Sequence, residues 1–230
     1  MVFQYKNRSD AGRVLAARLK QEKGLTDVVV VALPRGGVPV AYEVAQALAA
    51  PLEVITVRKI GAPAHPELAA GAVTASGSIV WNDTVLAALG LIQNGLLAQK
   101  EKTLQEARKL DKALRPQGSN PRELFAKTVI VIDDGLATGA TMKAALKAVI
   151  MQKPDRVIVA VPVGPEDTCK EIEKMGYSVV CAHRVPEGGL SSVGEWYRDF
   201  SQVDTEECRT LLAVSSPKTH TTPPEELGLH

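Results

Sequence analysis

Apolar residues along the chain gather into short unbroken runs, separated by stretches in which they recur at helical spacing. Residues 28–33, Val-Val-Val-Val-Ala-Leu, form one such run of strand length. That is the pattern of a parallel strand covered on both faces, not of a half-exposed one. Residues 52–57, 128–132, 156–161 and 177–181 predict further strands. Helices are predicted over 9–20, with Ala11, Val14, Leu15, Arg18 and Leu19 in register and Ser9 or Asp10 as N-cap, and over 38–49, 140–151 and 166–175. Strands alternating with helices imply an α/β fold, a mostly parallel sheet flanked by helices.

Two regions depart from that rhythm. Residues 58–71 contain Gly61, Pro63 and Pro66 and show no clear period, which predicts a mobile loop. After it, residues 72–74 and 78–81 flank Ala75-Ser76-Gly77 as a short hairpin. Asn82 or Asp83 can cap a helix over 85–89, a long polar helix should run over 93–114, and 118–121 is a turn. The hairpin and helices of about 72–115 therefore read as an insertion into a core of about 24–182. Residues 185–200 are irregular and aromatic, 204–211 predict a closing helix, and from Ser215 onward the chain lacks an apolar face, as a flexible tail does. Residues 1–214 are expected to form one domain.

Composition narrows the classes. Hydrophobic residues make up 45% and charged residues 23%, enough apolar surface for a real core. With 27 Lys plus Arg against 26 Asp plus Glu, there is no global pull toward nucleic acid or an anionic membrane. The three cysteines, Cys169, Cys181 and Cys208, have no metal-ligand spacing and read as thiols of a reducing compartment. No apolar run spans a bilayer and the N-terminus has no apolar leader, so a cytoplasmic protein is expected.

Candidate chemistry lies in Val129-Ile-Val-Ile-Asp133-Asp134-Gly135-Leu136-Ala137-Thr138-Gly139-Ala140-Thr141. A buried strand delivers two adjacent carboxylates at its carboxyl end, where open α/β sheets bind ligands. Neighbours on an extended chain point to opposite faces, so Asp133 and Asp134 are not expected to do one job. The turn that follows opens a helix whose first amides are unpaired, a ready phosphate cradle. No GxxxxGK[ST] and no GxGxxG follows the first strand, which argues against nucleoside triphosphatases and dinucleotide enzymes.

Residues 130–141 resemble the signature of type I phosphoribosyltransferases, two acids followed by a T-G-x-T turn. The resemblance implies that Asp133 and Asp134 hold ribose hydroxyls and bound Mg2+. It implies also that Gly135, Leu136, Ala137, Thr138, Gly139, Ala140 and Thr141 wrap the 5′-phosphate. Leu33-Pro34-Arg35-Gly36-Gly37 stands where that family keeps its pyrophosphate loop, with Arg35 for the charge and Gly36 and Gly37 for close amide approach. Arg58 or Lys59, opening the long loop, would bring positive charge to the leaving pyrophosphate as the loop closes; a solvated basic pair is the plainer reading. The segment around Trp196, Tyr197 and Phe200 has the place of the family's small hood over the base, although aromatic packing accounts for it as well.

The implied activity is transfer of ribose 5-phosphate from 5-phosphoribosyl 1-pyrophosphate to a nitrogen base, with Mg2+ and release of pyrophosphate, by a protein that many relatives suggest is a homodimer. The alternative is a non-catalytic regulator that senses the donor or a nucleotide. Interleaving of Lys100, Lys102, Arg108, Lys109 and Lys112 with Glu101, Glu106 and Asp111 reads as a solvated helix face, so no nucleic-acid partner is expected.

Overall fold

A computed structural model describes residues 4–63, 65–115, 121–186 and 188–215. In chain order these form α1 (Arg8–Leu19), β1 (Val28–Ala32), α2 (Gly37–Leu48), β2 (Leu52–Val54), β3 (Val57–Ala62), β4 (His65–Thr74), β5 (Ile79–Trp81), α3 (Asp83–Ala88) and α4 (Leu97–Leu114). The second half contributes β6 (Thr128–Ile132), α5 (Ala140–Ile150), β7 (Arg156–Pro165), α6 (Glu166–Lys174), β8 (Ser178–Val185) and α7 (Thr205–Val214).

The apolar runs are the strands of a five-stranded sheet ordered β2-β1-β6-β7-β8, with every neighbouring pair parallel. Alternation sends their side chains to two separate cores. Val30, Ala32, Ile130, Ile132, Ile158 and Ala160 pack with α1, α2 and α7. Val29, Val31, Val129, Val131, Val157 and Val159 pack with α5 and α6 on the other face. Removing one such side chain, as in Ile130→Ala, typically costs about 2–5 kcal/mol, which is why a strand this apolar has no freedom to slip its register.

The N-cap of α1 is Asn7, whose side chain accepts from the Asp10 amide; Ser9 and Asp10, expected in that role, lie inside the helix. Asn82 and Asp204 cap α3 and α7.

The expected loop over 58–71 is instead paired backbone. β3, β4 and β5 form a second, antiparallel sheet, in which β3 and β4 pair from Val57↔Thr74 to Ala62↔His65 with register shifts near Gly61. The turn expected at 118–121 lies for residues 118–120, and the tail for 216–230, outside the described residues. None of the helices among the described residues is long and apolar enough to cross a membrane.

Candidate functional site

β1 and β6 lie side by side, register Ala32↔Ile132, yet the chain leaves them toward opposite edges of the sheet. Beyond the carboxyl ends of two strands that diverge in this way there is a crevice, the usual ligand site of open α/β sheets. Both motif turns open into it. The Leu33 amide donates to the Ile132 carbonyl at 2.8 Å, which ties the first turn to the end of the other strand. In that turn the Pro34–Arg35 peptide is cis.

Glycine leaves the room needed where the turns meet. A Cβ at Gly36 would stand 2.0 Å from Asp134 Oδ2, and one at Gly37 would stand 2.7 Å from the Ile132 carbonyl. Arg35 sits half-buried beside them, and its guanidinium has no hydrogen-bond or ion-pair partner among the described residues. A cation on that turn without an ion-pair partner among the described residues is suited to an incoming anion.

Asp133 and Asp134 follow the end of β6 and adjoin each other, Asp134 Oδ2 against Gly36 and Asp133 Oδ1 against Gly37. Asp133 Oδ1 accepts the Asp134 amide at 2.9 Å, and no cation bonds its carboxylate among the described residues. Burial of that carboxyl, and then the Asp134 charge, push it well above the usual carboxylate range; the amide bond and Arg8 oppose the shift only in part. Asp134 has an ion pair with Arg8, Nε to Oδ2 at 2.8 Å.

After the acids, the chain leaves a row of amides open. The Leu136 amide is used by the Val163 carbonyl, but those from Ala137 to Met142 donate to no protein atom among the described residues. Gly139, at φ +70°, is the N-cap of α5, a conformation that costs a glycine nothing. Thr168 Oγ1 donates to the Ala137 carbonyl at 3.0 Å and holds the turn from outside. Unpaired amides at a helix N-terminus form a site for a phosphate-sized anion.

Arg58 and Lys59 lie on β3, not on a loop. Lys59 pairs with Ala72 and shares a face with Val57, both part of the core under α5. Arg58 pairs with Val73, which packs with Ile60 and Leu104 under α4. Strand alternation thus puts the two cations on opposite faces, with Lys59 on the side of the phosphate turn's helix.

Sequence reading missed Arg8. It stands at the head of α1, 126 residues from its partner, and nothing in its local pattern distinguishes it from a solvated helix-end cation. Tyr197, weighed between packing and base stacking, is buried at 4% exposure and donates from Oη to the Asp134 carbonyl at 2.6 Å. Burial and the nearby Asp134 charge raise its pKa, so the phenol remains a donor.

The description "Phosphoribosyl transferase domain" matches residues 1–189. The chain belongs to that family. Within the phosphoribosyl transferase family it is 41% identical over 208 residues to the Mycobacterium tuberculosis protein named "Putative phosphoribosyl transferase Rv0571c". That match takes in 90% of this chain and 46% of the relative, so the chain spans about half the length of the curated relatives it matches. Among solved structures, TT1426 from Thermus thermophilus superposes with a TM-score of 0.78 at 36% identity, covering 94% of this chain and all of that one. The α/β architecture is thus that of type I members of the phosphoribosyl transferase family.

Proposed function

We propose that this family member transfers ribose 5-phosphate from 5-phosphoribosyl 1-pyrophosphate to a nitrogen base, with release of pyrophosphate. The observation that carries the reading is the row of amides from Ala137 to Met142 that donate to no protein atom among the described residues, set beside the buried acid Asp133. A sugar phosphate satisfies both at once: its phosphate takes the amides of 137–142 and the Thr138 and Thr141 hydroxyls, and its ring hydroxyls donate to the acid.

In the reaction the C1–oxygen bond to pyrophosphate breaks, its electron pair leaves with pyrophosphate, and a lone pair of the base nitrogen forms the new bond to C1. Positive charge on the ring as that bond breaks is favoured by the acids beneath it. Arg35 and the amides of Gly36 and Gly37 receive the departing pyrophosphate, with Lys59 the better placed of the two strand cations to assist. No group of three or more potential metal ligands occurs among the described residues, so Mg2+ fits here only with the substrate's own phosphate oxygens, Asp133 and Asp134 adding carboxylate. Bound that way, it would neutralise charge on the leaving group. A cytoplasmic homodimer belongs to the same proposal.

The test mixes the protein with Mg2+, the donor and a panel of purines and pyrimidines and follows pyrophosphate. Release that depends on one base, and is lost in Arg35→Ala, is the expected result. No release with any base, while the donor still binds, would transfer the site to the sensing alternative.

A further inference from the structure

We propose that a cavity at the root of the antiparallel ribbon is a second ligand site, outside the crevice, for a small organic phosphate. It shares no lining residue with either motif turn, so it stands independently of the phosphoribosyl reading.

The cavity measures about 320 Å³, toward the lower end of small-molecule sites (about 300–1,000 Å³). Three parts of the fold meet around it: the ribbon's root at Thr56 and Ser76, the carboxyl-terminal half of α4, and the segment that leads into β6. Ile55, Leu124 and Ala148 make one side apolar. Backbone bonds close the root itself. The Ala75 amide donates to the Thr56 carbonyl at 3.1 Å, and the Thr74 amide donates to the Ser78 carbonyl at 2.9 Å. Thr74 Oγ1 and Ser76 Oγ stand 2.8 Å apart and either can donate, so the Ser76 hydroxyl is able to turn its hydrogen to a ligand.

Charge decides what this hollow takes. Arg108, Lys112, Arg115 and Arg122 line it with Glu53 and Asp111, four cations to two acids. Arg115 already answers both acids, at 2.7 Å and 2.8 Å. The other three cations make no ion pair among the described residues. Arg108 Nε reaches only the Ala75 carbonyl, at 3.4 Å, and Arg122 is anchored through its main chain, whose amide donates to Glu53 Oε2 at 2.7 Å. The ends of α4 and α5 carry about half a negative charge each, which does not cancel a surplus of two full ones. Arg108 and Lys112 alone, one turn apart, would be an ordinary solvated helix face. Arg122 comes from a separate segment and meets them at the same hollow, which a solvated face does not require. Two guanidinium forks and an ammonium suit the oxygens of a phosphate, and the apolar side suits an organic body attached to it.

The test adds AMP, UMP, fructose 6-phosphate or inorganic phosphate to the Arg35→Ala protein, in which the crevice has lost its cation. Calorimetry measures affinity, and amide hydrogen exchange locates the ligand. At least one organic phosphate should slow exchange of the Thr74, Ala75 and Gly77 amides about tenfold, because it ties the ribbon's root to α4. That compound should bind about tenfold or more tightly than inorganic phosphate. Adding Arg108→Gln, Lys112→Gln and Arg122→Gln together should weaken its binding about 100-fold and leave the melting temperature nearly unchanged, since none of the three is in an ion pair. The proposal is overturned if no compound slows those amides, if the triple change leaves affinity intact, or if inorganic phosphate binds as well as every organic one. Any of these outcomes leaves the crevice reading untouched. Should the triple variant fail to fold, Lys112→Gln and Arg122→Gln made singly, each expected to weaken binding about fivefold, decide the matter.

Discussion

Two enclosed clusters of charge lie along the same sheet, one on its edge strand β2 and one beyond the carboxyl ends of β1 and β6, and only one of them is closed. Around Glu53, Oε1 accepts from Arg115 Nη1 at 2.7 Å and from the Val54 amide at 2.8 Å, while Oε2 accepts the Arg122 amide at 2.7 Å. Asp111 takes Arg115 Nε at 2.8 Å and the Thr56 hydroxyl at 3.2 Å. Each guanidinium nitrogen of Arg115 meets an acceptor there, and the cluster ties α4 to β2. At the ends of β1 and β6 the arrangement is incomplete: among the described residues neither Asp133 nor Arg35 makes an ion pair, and the amides ahead of α5 donate to no protein atom. Saturation marks a structural brace, and a deficit that the fold tolerates marks a place for something that arrives from outside.

The sharpest way to break the contrast is to open the closed cluster. Arg115→Ala leaves Glu53 buried without its cation and should cost about 3–5 kcal/mol, read as a lower denaturation midpoint. Ligand affinity per folded molecule should hardly change.

The converse holds for Asp133→Asn. Because burial raises the folded-state pKa of Asp133, the folded protein resists its ionisation. That penalty is absent below about pH 3.9 and grows as pH rises toward the folded value. In metal-free buffer near neutral pH the asparagine variant should therefore melt above wild type, and near pH 3 the two should coincide. Pyrophosphate release should fall by about 100-fold, a loss of about 2.7 kcal/mol in transition-state stabilisation. A variant less stable at neutral pH would show that Asp133 has a counter-charge after all.

Gly36→Ala should come next. Its methyl group must displace Asp134 or the turn, at about 1–3 kcal/mol, with weaker donor binding as the visible effect. Smallest is the comparison across β3. Lys59→Ala should lower turnover about tenfold, as for one exposed charge removed from a phosphate contact, and Arg58→Ala about twofold or less. Equal losses from both would mean that the ribbon twists enough for either side chain to reach the site.

How much of this is legible in sequence depends on whether the signal is local. The unbroken runs at 28–32 and 128–132 announce buried parallel strands, and the acids, the glycines and the helix start after them lie close together in the chain. The family resemblance at residues 130–141 is carried by the same local stretch. Residues 58–71 mislead for a physical reason. Apart from Ile60, the buried positions described there are small, Ala62 and Ala70, and Gly71 is pressed against the Trp81 ring, so the alternation of a strand carries little hydrophobic contrast. Pro63 and Pro66 read as breakers, yet they flank the tip of an antiparallel ribbon, where proline is tolerated. Arg8 was beyond reach altogether, since an ion pair across 126 residues leaves no trace in either local pattern.

The bond from Arg8 to the Ser201 carbonyl has a consequence for how the protein is made. The two residues are 193 positions apart. At about 5–20 residues per second, a ribosome needs roughly 10–40 s to add that much chain. All five strands of the sheet, the last ending at Val185, are made before Ser201, while the acid at 134 waits for its full enclosure, so the binding crevice is among the last parts of the molecule to mature.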